Sequence, residues 1–104
     1  MAKQAESKFY NRIKPKLEAL PNSHMIRVQQ ISNRGTPDIL MCVNGLFIAI
    51  ELKKGVGEKA SPLQEWHILK INQTGGWALV VHPDNWKAIY SKLEQLAKGI
   101  KCLT

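Results

Sequence analysis

Residues 35–53, Gly35-Thr36-Pro37-Asp38-Ile39-Leu40-Met41-Cys42-Val43-Asn44-Gly45-Leu46-Phe47-Ile48-Ala49-Ile50-Glu51-Leu52-Lys53, hold two apolar runs separated by one polar dipeptide. Asn and Gly both tolerate the positive φ that a two-residue type I′ turn requires, so Asn44-Gly45 predicts a tight hairpin. Such a turn also sets the register. Val43 faces Leu46, Cys42 faces Phe47, Leu40 faces Ala49, and Asp38 is expected to face Glu51. Directly opposed residues place their Cβ atoms roughly 5 Å apart on one face. Lys53, two residues beyond Glu51, points to that face as well. Turn chemistry alone therefore gathers Asp38, Glu51 and Lys53. Two opposed carboxylates repel, and a divalent cation with a preference for hard oxygen ligands, magnesium or manganese, would relieve them. The plainer alternative is a solvated hairpin end in which Lys53 neutralises two incidental acids.

The second face of the hairpin, Ile39, Met41, Val43, Leu46, Ile48, Ile50 and Leu52, is wholly apolar, and Leu40, Cys42, Phe47 and Ala49 lie behind the acids. A hairpin apolar on both faces must be covered on both, by helices or by another subunit.

Outward from the hairpin, the N-terminal side begins with a helix expected from about Ala2 to Leu20. Phe9, Ile13, Leu17 and Leu20 form its apolar stripe, and Pro15 should kink or divide it near Lys14. Lys3, Lys8, Arg12, Lys14 and Lys16 make it basic. Glu6 sits near the edge of the stripe, where it also reads as an acid favourable to the helix dipole. The stretch Met25–Ile31 alternates as a half-exposed strand, and residues 32–37 have loop chemistry.

On the C-terminal side, Lys53-Lys54-Gly55-Val56-Gly57-Glu58-Lys59-Ala60 is a basic loop that suits a phosphate backbone, or else a solvated connection. Ser61-Pro62 starts a helix, and Ser61-x-x-Gln64 matches a capping box, which gives Gln64 a structural explanation. Leu63, Trp66, Ile68, Leu69 and Ile71 are expected to bury most of this helix against the sheet. Gly75-Gly76 ends it. Trp77–Val81 is nearly continuously apolar and predicts an interior strand, parallel to the second hairpin strand after a right-handed crossover. A last helix begins near Asn85, with Trp86, Ile89, Leu93 and Leu96 at helical spacing.

The 104 residues predict a single domain, 1–104, of α/β class: a mixed sheet, three-stranded antiparallel plus one parallel strand, flanked by helices in the order αβββαβα. The apolar fraction of 44% and charged fraction of 22% are those of a globular chain. No run reaches the ~20 apolar residues of a membrane span, and the polar N-terminus lacks a signal-peptide core. Cys42 and Cys102 have no metal-site spacing and read as reduced thiols, which together predict a cytoplasmic setting. His24, His67 and His82 are scattered and form no competing metal set. A formal charge of +7 and a pI near 9.7 favour a polyanionic partner, nucleic acid first.

Gly35-x-Pro37-Asp38 followed by Glu51-Leu52-Lys53, with Glu6 on a preceding helix, Ser61-Pro62-x-Gln64 opening the next and Gly-Gly before an apolar strand, resembles the PD-(D/E)XK nuclease superfamily. More narrowly it is similar to the VRR-NUC family, including its short stand-alone phage and bacterial members. The resemblance spans roughly residues 6 to 82. It implies a restriction-endonuclease-like core and a divalent-metal-dependent endodeoxyribonuclease that hydrolyses phosphodiester bonds with Mg2+ or Mn2+. Asp38, Glu51, Lys53 and Gln64 would be the catalytic set. Asp38, Glu51, the backbone carbonyl of Leu52 and Glu6, directly or through water, would hold the metal. Arg34, Lys54 and Lys59 would contact nucleic acid. It also implies a homodimer acting on branched DNA such as Holliday junctions, in a bacterial cell or phage-infected host. Alternatives are a nicking or restriction-like enzyme acting on ordinary duplex DNA, a catalytically inactive DNA-binding module, and a basic RNA-associated protein, which leaves the acid cluster unexplained.

Overall fold

The computed structural model describes residues 2–28 and 35–99, with side chains from residue 8 onward. The order is α1 (Ala2–Glu18), β1 (Ser23–Arg27), β2 (Ile39–Val43), β3 (Leu46–Leu52), α2 (Pro62–Gln73), β4 (Trp77–Val81) and α3 (Trp86–Ala97). The strands form one four-stranded sheet in the order β1-β2-β3-β4. β1–β2 and β2–β3 are antiparallel and β3–β4 is parallel. The fold is thus the expected mixed sheet flanked by helices.

The hairpin has the register its turn predicts, with Val43 paired to Leu46, Cys42 to Phe47 and Leu40 to Ala49. Asn44 (φ 48°) and Gly45 (φ 87°) both adopt positive φ, as a type I′ turn demands. Alternation then sorts the side chains between two faces. Ile39, Met41, Val43, Ile48, Ile50, Leu52 and Val81 enter the main core with Phe9, Tyr10, Ile13, Leu17 and Leu20 of the α1 region and Trp86, Leu93, Leu96 and Ala97 of α3. The opposite face, with Ala49 and Glu51, meets α2.

Four expectations change. α1 runs undivided through Pro15. The proline ring is exposed, so the missing N–H falls on the solvent side, and the Pro15 carbonyl still accepts from Ala19 N at 3.1 Å. β1 starts earlier than Met25 and ends at Arg27; residues 29–31, also expected in it, lie outside the described segments. β4 is an edge strand. Its apolar run reflects helices on both faces, since coverage above and below produces the same pattern as lateral neighbours. Finally, α2 contains no buried residue. Leu63, Trp66 and Leu69 are exposed, so this helix is not held by burial of its apolar stripe. Instead Asn72 ties its last turn to β4 with two bonds, Nδ2 to Ala78 O at 3.0 Å and Ala78 N to Oδ1 at 2.9 Å. The same pair satisfies backbone groups on an edge strand.

Among the described residues no helix is long and apolar enough to cross a membrane.

Candidate active site

The ends of β2 and β3 carry the acids. Regular pairing reaches Ile39↔Ile50 and stops one pair short of Asp38↔Glu51. The amide of Asp38 donates to Ile50 O at 3.0 Å, although Ile50 is already the partner of Ile39. Two residues on the β2 side thus meet one on β3, the arrangement of a bulge, which re-aims a side chain. As a result Asp38 does not simply face Glu51. Its Oδ2 accepts the Leu52 amide at 2.7 Å, so the carboxylate takes the place of the next ladder carbonyl. The Asp38 carbonyl is used on the other side, accepting from Val28 N at 2.9 Å. Both neighbouring strands therefore pin Asp38.

Gly35, which opens the motif, sits under α2. It has φ of 80°, and a Cβ there would come within 2.7 Å of Leu63 Cγ. Positive φ and close packing both select glycine at this position.

Glu51 and Lys53 are 6% and 7% exposed. Burying two charges is tolerated only when their polar atoms are partnered. Lys53 Nζ lies 3.6 Å from Glu51 Oε2, and Gln64 stands between the two groups. Its Nε2 donates to Glu51 Oε2 at 2.5 Å, and its Oε1 accepts from Lys53 Nζ at 3.1 Å. The same Oε1 accepts the Ser61 amide at 2.8 Å, while Ser61 Oγ accepts the Gln64 amide at 3.2 Å. The capping box is complete. The structural and chemical readings of Gln64 therefore coincide in one side chain.

Asp38, Glu51, Lys53 and Gln64 come together on adjoining strand ends and the start of α2. Leu52 joins them through its N–H, its side chain being buried in the core. Lys54 and Lys59 lie exposed on the loop that follows, which is closed by the Lys54 amide donating to Glu58 Oε1 at 3.0 Å. The side chain of Glu6 and all of Arg34 fall outside the described residues. Among the described residues no group of three or more His, Cys, Asp and Glu side chains forms a metal cluster. The two carboxylates nevertheless fit a hard cation. They offer only oxygen, and Mg2+ is commonly held by one or two carboxylates, with water and substrate phosphate completing its shell.

One neighbour was not foreseen from the sequence. The Arg27 guanidinium stacks 3.8 Å above the Tyr10 ring, one residue before the Val28 amide that bonds Asp38. It makes no salt bridge with a described carboxylate. Arg27 pairs with Ile39, so its side chain lies with Tyr10 on the α1 face of the sheet, and only its backbone neighbour Val28 reaches Asp38.

No family model matches the chain, and no curated protein matches it. A solved structure described as a VRR_NUC domain shares the fold, with a TM-score of 0.66 and 21% identity. The similarity covers 92% of this chain and 97% of the other.

Proposed function

We propose that this chain is a nuclease of the VRR-NUC family, an endonuclease that hydrolyses DNA phosphodiester bonds with a divalent metal. The observation that carries this reading is the Gln64 amide joining buried Glu51 and Lys53 beside the strand end that pins Asp38. A structural protein gains nothing from keeping an acid and a lysine dry and hydrogen-bonded at the mouth of a sheet, whereas phosphodiester hydrolysis needs both. Asp38 and Glu51 would hold Mg2+ or Mn2+, assisted by Glu6 and the Leu52 carbonyl. The ion would supply polarisation of the phosphate and a bound water acidic enough to yield hydroxide near neutral pH.

The chain's own groups do the rest. Lys53, oriented by Gln64, donates hydrogen bonds to phosphate oxygens as their negative charge grows, a stabilisation strengthened by its exclusion from water. The Leu52 amide keeps the Asp38 carboxylate in one orientation, so little reorganisation accompanies the reaction. Lys54, Lys59, Arg34 and Arg27 neutralise flanking phosphates, in keeping with the net charge of +7. Stacking on Tyr10 holds the Arg27 side chain in place before DNA arrives.

The reading extends to a homodimer on branched DNA, each subunit cutting one strand. It draws support from the part of the α2-facing sheet surface that α2 leaves open. Ile26 and Phe47 are exposed there, and His24, Ile26, Leu40, Met41, Cys42 and Phe47 line a groove of about 190 Å3. Leu63 and Trp66 on α2 are exposed as well, and a second subunit would cover such apolar surface.

The test is cleavage of a labelled four-way junction beside a matched linear duplex, with Mg2+, Mn2+ or chelator, for the native chain and Asp38→Ala. Metal-dependent junction cutting that is lost in the variant is expected. Cutting of both DNAs would remove the junction preference and favour a duplex-acting enzyme. Binding without cutting in any metal would leave a DNA-binding module.

A further inference from the structure

Gln64 has one oxygen and one nitrogen at its amide, and three partners fix which is which. The Ser61 N–H and the Lys53 ammonium are donors and require the oxygen; the Glu51 carboxylate is an acceptor and requires the nitrogen. Flipping the amide would turn all three contacts repulsive at once. Two of these partners belong to the proposed chemistry. The third, the Ser61 amide, belongs to the helix cap and is the one that does not change when substrate or metal arrives. The cap is closed from the other side by Ser61 Oγ, which accepts the Gln64 amide at 3.2 Å. Ser61 therefore holds both the backbone and the side chain of Gln64. This matters because α2 has no fully buried residue, and the described packing of its first turn is the contact of half-exposed Leu63 with Gly35.

From this geometry we infer that Ser61 is a positioning residue of the active site, acting through Gln64 on Glu51 and Lys53. The inference rests on the nuclease reading above. The Ser61 hydroxyl touches no reacting group; its work is to keep the first turn of α2 wound so that the Gln64 amide arrives with its oxygen toward Lys53 and its nitrogen toward Glu51. Loss of the hydroxyl lets that turn fray, and the buried acid and lysine are then free to close directly on each other from their present 3.6 Å. A lysine collapsed onto Glu51 is withdrawn from the phosphate and competes for the carboxylate.

The experiment compares Ser61→Ala with Thr74→Val in single-turnover cleavage of a labelled four-way junction and a duplex in Mg2+. DNA affinity in chelator and thermal melting are measured alongside. Thr74 is the control because its hydroxyl donates to Lys70 O at 2.8 Å and to Ile71 O at 3.2 Å, at the far end of the same helix. Both variants loosen α2, but only one touches Gln64. Ser61→Ala is expected to lower the cleavage rate about 10–100-fold, as loss of a group supporting a metal site typically does. Its DNA affinity should stay unchanged, Thr74→Val should cut at the native rate, and Ser61→Thr, which keeps the hydroxyl, should recover cutting. Equal slowing by Ser61→Ala and Thr74→Val would reduce the effect to helix stability and overturn the inference. So would native cleavage by Ser61→Ala. Should Ser61→Ala fail to fold, Ser61→Gly removes the hydroxyl at a cap position glycine tolerates, and is judged by the same outcomes. A native chain that cuts no DNA in any divalent metal overturns the nuclease reading, and this inference with it.

Discussion

On one face of the sheet, Ile39, Val43, Ile48 and Ile50 lie against α1 and α3 with no exposed surface. On the other, α2 covers Ala49 and Glu51, while Phe47 and Ile26 remain 45% and 53% exposed. The same strands supply both faces, one residue alternately to each. The first face is held by close packing, which is insensitive to direction. The second is held by directed bonds at the two ends of α2, Gln64 to the acid–lysine pair and Asn72 to β4. On the proposed reading this face admits metal and DNA, which a seal of hydrocarbon would prevent, and hydrogen bonds can be exchanged for new partners where packing cannot. The fold would then keep stability on one side of a single sheet and the proposed chemistry on the other.

That division can be broken in graded steps. The largest effect is expected for Glu51→Gln, which removes a buried charge from the second face. Cleavage by the folded protein should fall by about 10²–10³-fold or more, the scale of losing one preorganised electrostatic group, and urea unfolding should lose about 3–5 kcal/mol, because Lys53 is left buried without its counter-charge. Native stability would mean that the acid–lysine pair does not hold the second face. Next is Ile50→Ala on the packed face, expected to cost about 2–5 kcal/mol in denaturant unfolding. Because Ile50 O also anchors the Asp38 amide through the backbone alone, the folded fraction should still cut DNA. Smaller again is the pair Leu63→Ser with Trp66→Ser. Exposed positions change monomer stability by about 0.5 kcal/mol or less each, but a dimer closed over this surface should dissociate in sedimentation at micromolar concentration. No change in mass would locate the subunit contact elsewhere. The smallest is Arg27→Gln, which should reduce the slope of log affinity against log salt by about one while leaving the maximal cleavage rate unaltered. An unchanged slope would mean Arg27 does no more than stack on Tyr10.

The sequence by itself determined the hairpin and its register, because a two-residue turn with Asn44 and Gly45 at positive φ leaves no freedom in the pairing. It determined the parallel β4, because a crossover helix returns the chain in the same direction, and the capped start of α2, because Ser61, Pro62 and Gln64 each act on neighbours within one turn. It also brought Glu51 and Lys53 to one face, since alternation along a single strand is strict. Contacts that depend on a second element were read less well. The bulge at Asp38 arises where β1 and β3 both claim its backbone, so the carboxylate came to rest on the Leu52 amide instead of directly opposite Glu51. The exposure of Trp66 and Leu69, and the edge position of β4, depend on where α2 settles over the sheet, which apolar periodicity cannot report. Arg27 met Tyr10 only because β1 pairs with β2 beneath α1. The joining of Gln64, Lys53 and Glu51 was decided only in three dimensions, because a local cap and a distant acid pair meet in one amide only when α2 has docked.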